Sequence, residues 1–142
     1  MAENTETKNK EECIFCKIVK GDVPSKKIYE NENFFSIYDI NPSFEGHALV
    51  VSKGHFKTIL DMPVSLGQEF IDAVKNTSIM LTKKFSAEGF NVVGNVNEVA
   101  GQIVDHFHVH IIPRKKEDNA KLDYVDKYTG KSVSLTSEDK QK

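Results

Sequence analysis

The sequence predicts an α+β domain in which a five-stranded antiparallel sheet carries one long helix on a face. Three observations predict it. Strand-like runs with period-two alternation recur through the chain. A single long stretch, Ser65 to Phe85, has helical periodicity. The order is a short turn, three strands, the helix and two strands, with short hairpin-like links that favour antiparallel pairing over βαβ crossovers. The 142 residues suit one domain with a modest single core.

Residues 1–11 have no apolar periodicity and are expected to form a disordered tail. Cys13 to Val19 reads as a helical turn stopped by Gly21-Asp22 and Pro24. Lys26–Glu30 and Phe34–Tyr38 are strands joined by the turn formers Asn31-Glu32-Asn33. Asp39-Ile40-Asn41-Pro42 turns the chain, and Gly46–Ser52 is the third strand. In the helix, Leu66, Phe70, Val74, Leu81 and Phe85 fall on one stripe. Ser65 with Gln68 fits a capping box, and Gly89 is the expected stop. Phe90–Asn95 is the fourth strand, Asn97–Gln102 a loop, and Ile103–Ile112 the fifth strand, ended by Pro113. From residue 117 to 142 the chain is a polar tail. There Tyr124, Val125, Tyr128, Val133 and Leu135 offer apolar contacts for an arm on the domain or a partner, but their irregular spacing equally suits a disordered tail.

The formal charge is −2, which provides no basic field for nucleic-acid binding. No apolar run reaches the length of a membrane span, and Met1–Glu12 has no apolar core of a signal peptide. A cytoplasmic protein is expected. In a reducing compartment Cys13-x-x-Cys16 points to a metal or redox pair rather than a structural disulfide.

The chemistry gathers in Asp105-His106-Phe107-His108-Val109-His110-Ile111-Ile112, which holds three of the five histidines. A strand sends alternate side chains to opposite faces, so the three imidazoles share one face and Phe107, Val109 and Ile111 the other. Buried imidazoles need partners. Three readings are open from the residues alone: a metal site, a nucleophile with a proton relay, or chance alternation.

The run resembles the motif of the histidine triad family. The resemblance extends to Cys13–Ile18, Tyr38-Asp39-Ile40-Asn41-Pro42, Gly46-His47-Ala48-Leu49-Val50-Val51, Ala100-Gly101-Gln102 and Pro113-Arg114, covering residues 12–116. It implies a homodimer whose two five-stranded sheets join into one. It further implies a nucleotide hydrolase or transferase that attacks the α-phosphate of nucleoside 5'-phosphate conjugates through a covalent nucleotidyl-histidine. His108 is then the nucleophile, His110 orients it, and His47 joins the proton network with His106. By the same resemblance Ile14, Phe15, Ile18 and Ile40 form the base slot. Asp39 binds ribose, and Asn95, Gly101 and Gln102 meet the phosphate. Some relatives bind zinc with residues matching Cys13, Cys16, His55 and His106. A closed site of that kind is structural and removes His106 as a free acid. Two departures stand out: Ile103 replaces a Ser or Thr common in relatives, and Asn97-Glu98-Val99 lacks their loop glycine. They motivate an alternative, a nucleotide-binding scaffold without turnover.

Overall fold

A computed structural model describes residues 12–42, 44–118, 122–125 and 132–135. Helix α1 (Ile14–Lys20) leads into β1 (Lys27–Glu30), β2 (Phe34–Tyr38) and β3 (Ala48–Ser52). A 3-10 turn at Val64–Leu66 enters the long helix α2 (Gly67–Phe85). Then come β4 (Gly89–Val93), a 3-10 turn at Glu98–Ala100 and β5 (His108–Arg114). The five strands form one antiparallel sheet in the order β1-β2-β3-β5-β4. The α+β architecture with one long helix is therefore as the sequence predicts.

The strand alternation sorts the core into two layers. Phe34, Ala48, Val50, Phe107, Val109 and Ile111 face α2, where Ala73 and Leu81 are buried and Leu66, Phe70, Val74 and Phe85 pack against them. Phe35, Ile37, Leu49 and Val51 face the other way, onto Phe15, Cys16 and Ile18 of α1. A hydroxyl pair under the helix is satisfied internally, Thr77 Oγ1 donating to Ser36 Oγ at 2.8 Å. The β1–β2 turn is built by Asn31, whose side-chain oxygen accepts from the N–H of Asn33 and Phe34.

Several boundaries differ from expectation. No side chain caps α2; the 3-10 turn absorbs Ser65, so the capping box does not form. The helix stops at Ser86, in the left-handed region at φ 55°, while Gly89 already pairs with Arg114 in β4. The fifth strand begins at His108, not Ile103, because His106 N–H turns back onto Val104 O and Phe107 N–H goes to Phe56 O. Pro113 does not end it. The ladder to β3 finishes at Ile111, so the missing N–H of Pro113 faces no β3 partner while pairing with β4 continues.

In the C-terminal tail, β6 (Leu122–Val125) and β7 (Ser132–Leu135) pair as a separate two-stranded antiparallel sheet. Tyr128 and the 1–11 tail lie outside the described residues. No helix among those residues is long and apolar enough to cross a membrane.

Candidate active site and metal centre

β5 lies between β3 and β4, and this central place sets the site. His108 is level with Val51 and His110 with Leu49, so both rings stand on the α1 face of the sheet. His106, though outside the strand, keeps to the same side. The Phe15 ring meets both His106 and His108 edge-on, with centroids 5.5 and 5.2 Å away. His108 Nδ1 lies 2.7 Å from the His106 carbonyl oxygen. A carbonyl only accepts, so Nδ1 carries the proton and the lone pair is on Nε2. Burial lowers the His108 pKa, against the bond to His106 and the Asp39 charge, which raise it.

His47 is delivered by a tight turn at Gly46, which has φ +85°. A Cβ there would sit 2.7 Å from the Phe85 ring, so the turn is closed to larger residues. His47 Nε2 lies 2.9 Å from His110 Nδ1. Asp39 Oδ2 stands 3.5 Å from His47 Nε2 and 3.9 Å from His110 Nδ1. The pKa of His110 falls to about 3, first through burial, then through the like-charge cost of protonating it beside His108 and His47.

A second cluster lies at the end of α1. Cys13 Sγ is 3.3 Å and Cys16 Sγ 3.5 Å from His106 Nδ1; Cys16 Sγ is 3.1 Å and His106 Nδ1 3.2 Å from His55 Nδ1. A tetrahedron with zinc-like bond lengths has sulfur–nitrogen edges of about 3.6 Å and nitrogen–nitrogen edges of about 3.4 Å. The four contacts are about 0.1–0.5 Å shorter than these edges, so the ligand atoms are gathered to roughly the size of such a site. His106 also shows the proton arrangement of a metal ligand. Nε2–H donates to Ser52 O at 2.6 Å, leaving the Nδ1 lone pair aimed at the cluster. Burial pushes the His106 pKa down to about 4, so the ring stays neutral. The two thiols are not joined. Cys13, Cys16, His55 and His106 are thus close enough to hold a metal ion.

The remaining expected residues scatter more widely. Phe15 and Ile18 are buried core, whereas Ile14 is half-exposed and Ile40 is 92% exposed. Asn95 lies two residues beyond β4, whose last residue, Val93, pairs with His110. It has no hydrogen-bond partner among the described residues. Gly101, at φ 98°, gives its N–H to Glu98 O, and Gln102 N–H goes to Asn97 O. The Gln102 side chain accepts from Asn97 N–H and donates to Lys57 O and Val104 O. In this conformation both residues brace the loop rather than face outward. Ile103 is 48% exposed, and its N–H has no partner among the described residues. Sequence reasoning missed Lys57, which acts through a backbone carbonyl that residue type does not mark, and Ser52, whose carbonyl and hydroxyl both meet the His106 ring only once the fold is formed.

Residues 20–117 match the HIT domain family model. This chain belongs to the HIT family. An uncharacterised HIT-like protein of Methanocaldococcus jannaschii is 46% identical to this HIT protein over 106 residues, 75% of this chain and 81% of that one. An adenosine 5'-monophosphoramidase of Candida albicans is 38% identical over 109 residues, 74% of this chain and 72% of that one. The crystal structure of a HIT family protein from Bacillus anthracis superposes with TM-score 0.72 at 32% identity, covering 92% of this chain and 85% of that one. The HIT fold is thus shared beyond the triad strand.

Proposed function

We propose that this HIT protein is a cytoplasmic nucleotide hydrolase that cleaves nucleoside 5'-phosphate conjugates at the α-phosphate, taking phosphoramidates or dinucleoside polyphosphates. The observation that carries it is the His108–His106 bond, which fixes the neutral imidazole with its lone pair on Nε2, the nitrogen that would attack. In the first step His108 Nε2 forms a bond to phosphorus as the bond to the leaving group breaks, and the leaving group takes a proton from solvent. In the second, water attacks phosphorus and gives a proton to solvent, the nitrogen–phosphorus bond breaks with its electron pair returning to Nε2, and neutral His108 is restored as the nucleoside monophosphate leaves. Relatives named as adenosine 5'-monophosphoramidases support this chemistry.

Asn95, two residues past β4, and the backbone N–H of Ile103, which has no partner among the described residues, are suited to donate to phosphate oxygens, joined by Gly101 and Gln102 if the loop exchanges its internal bonds. Asp39 takes the ribose hydroxyls. Ile14, Phe15, Ile18 and Ile40 line the base side, with Ile14 and Ile40 supplying exposed apolar surface. Cys13, Cys16, His55 and His106 would hold a zinc ion, which as a closed four-ligand centre supplies structure rather than catalysis. It would tie α1 to the loop that carries His106 and so steady the carbonyl bonded to His108. A homodimer would form across the outer edge of β4, where Phe90 and Val92 are exposed beside Ile79 of α2.

The test is incubation with α-labelled adenosine phosphoramidate, followed by rapid quenching. An acid-labile label on the protein is expected; no label and no product with any nucleotide conjugate would overturn the reading. A second reading, a nucleotide-binding scaffold without turnover, is favoured by the missing hydroxyl at Ile103 and by the engaged Gln102 amide. It predicts tight nucleotide binding with no hydrolysis across phosphoramidate, diadenosine polyphosphate and adenylyl sulfate.

A further inference from the structure

Asp39 follows the last residue of β2 and keeps its carboxylate largely out of solvent. Its side chain is 7% exposed, and no lysine or arginine pairs with it among the described residues. Oδ1 accepts from Asn41 N–H at 2.9 Å, and Oδ2 faces the two imidazoles. A buried carboxylate repels a bare nitrogen lone pair and attracts an N–H. At 3.5 Å from Oδ2, His47 Nε2 is therefore favoured as the protonated nitrogen. His47 Nε2 then donates to His110 Nδ1 across their 2.9 Å contact. With Nδ1 accepting, the proton of neutral His110 is left on Nε2. One carboxylate thereby sets the tautomers of two rings.

We propose that Asp39 is a positioning residue for the catalytic histidines, fixing His47 as the Nε2–H tautomer and, through it, His110 as the Nε2–H donor. Its effect on turnover is additional to any contact with ribose. The His110 Nε2–H serves a non-bridging phosphate oxygen, whose negative charge grows as His108 attacks. With the proton on Nδ1, His110 would present a lone pair to that oxygen instead. This rests on the hydrolase reading for its consequence in turnover, but not for the tautomers themselves.

Two measurements on the full chain test it. In 15N spectra of the substrate-free protein, His110 should show protonated Nε2 and bare Nδ1. Asp39→Asn should move population toward the Nδ1–H form, with Asp39→Ala as a second variant should Asn dock differently. Unchanged tautomers in both variants would overturn the proposal. In kinetics, adenosine phosphoramidate is compared with its 2',3'-dideoxy analogue. Asp39→Asn should lower kcat about tenfold or more with both substrates. A loss that vanishes with the dideoxy analogue means Asp39 acts only through the sugar, and overturns it. If the wild type turns over neither substrate, the hydrolase reading fails, and the 15N spectra alone decide the tautomer proposal.

Discussion

His108 gives its Nδ1 proton to the backbone carbonyl of His106, 2.7 Å away. The bond couples the two centres. His106 belongs to the Cys13, Cys16 and His55 cluster through its ring and meets His108 through its carbonyl. Whatever steadies residue 106 therefore aims the ring of residue 108. In catalytic triads an orienting carboxylate does this work; here a main-chain oxygen orients the ring, and the charge that favours its protonated form comes from Asp39.

Replacing His108 by alanine is expected to abolish covalent labelling and to lower turnover about a thousandfold or more. Because His108 is only half-buried, the variant should stay folded. Labelling followed by quench and gel readout checks the first point, and steady-state kinetics the second.

One zinc ion per chain is expected by elemental analysis. It should be lost in Cys13→Ser and His106→Ala and retained in His108→Ala. Chelation should lower Tm by about 10 °C, the shift that roughly 3 kcal/mol produces in a chain of this size. Retention of metal in Cys13→Ser with unchanged Tm would remove the centre as a structural element.

The sheet and the long helix were legible because each has a clean period: Phe34–Tyr38 and Ala48–Ser52 read directly as strands, and Leu66, Phe70, Val74 and Leu81 as one stripe. The shared face of the three histidines followed from the same alternation. What the residues hid was irregular backbone. The 103–107 segment alternates like a strand, yet its N–H and C=O groups go to Phe56, Ser52 and the loop itself, so His106 leaves the ladder. The Ser65–Gln68 capping pattern failed because a 3-10 turn took over the entry to the helix. The metal set was suggested by resemblance, since Cys13 and His106 are far apart in the chain and only the fold brings them together. Gln102 shows the opposite limit: its type suits a phosphate donor, but the structure engages both ends of its amide with the loop.

Association is expected to run through β4. Phe90 and Val92 are 44% and 50% exposed on an edge strand that carries no blocking charge. Phe90→Asp should yield a monomer by analytical ultracentrifugation, with Tm changed by a few degrees at most if the side chain is as solvent-facing in the monomer as it is here. A wild type that sediments as a monomer would end the dimer reading.

Stability should fall as the pH drops. His110 is held near 3 when folded and titrates near 6.5 when unfolded. Between those values the unfolded chain binds more protons, so stability rises with pH across that window and is fully present only above about 6.5. Denaturant titrations at pH 7, 6, 5 and 4 should show a progressive loss amounting to several kcal/mol at most. His110→Gln, which cannot titrate, should flatten the slope, although Gln will itself lower the stability at pH 7 through the lost contact with His47.

Ile103→Ser is the substitution that separates a turning-over enzyme from a silent binder. Ile103 is 48% exposed and its N–H has no partner among the described residues, so under the proposed function a backbone donor is available there and only the hydroxyl is missing. Trading an exposed isoleucine for serine should change stability by about 0.5 kcal/mol or less. If the hydroxyl meets charge that develops on the phosphate or the leaving group, kcat should rise by about tenfold, the gain of one hydrogen bond to a charged acceptor. The rise should be larger for a substrate with a poor leaving group, such as an alkyl phosphoramidate, than for diadenosine polyphosphate. Equal rates in wild type and variant across both substrates would mean that residue 103 lies outside the reach of the reacting groups, and the backbone N–H assigned there would have to be reassigned with it.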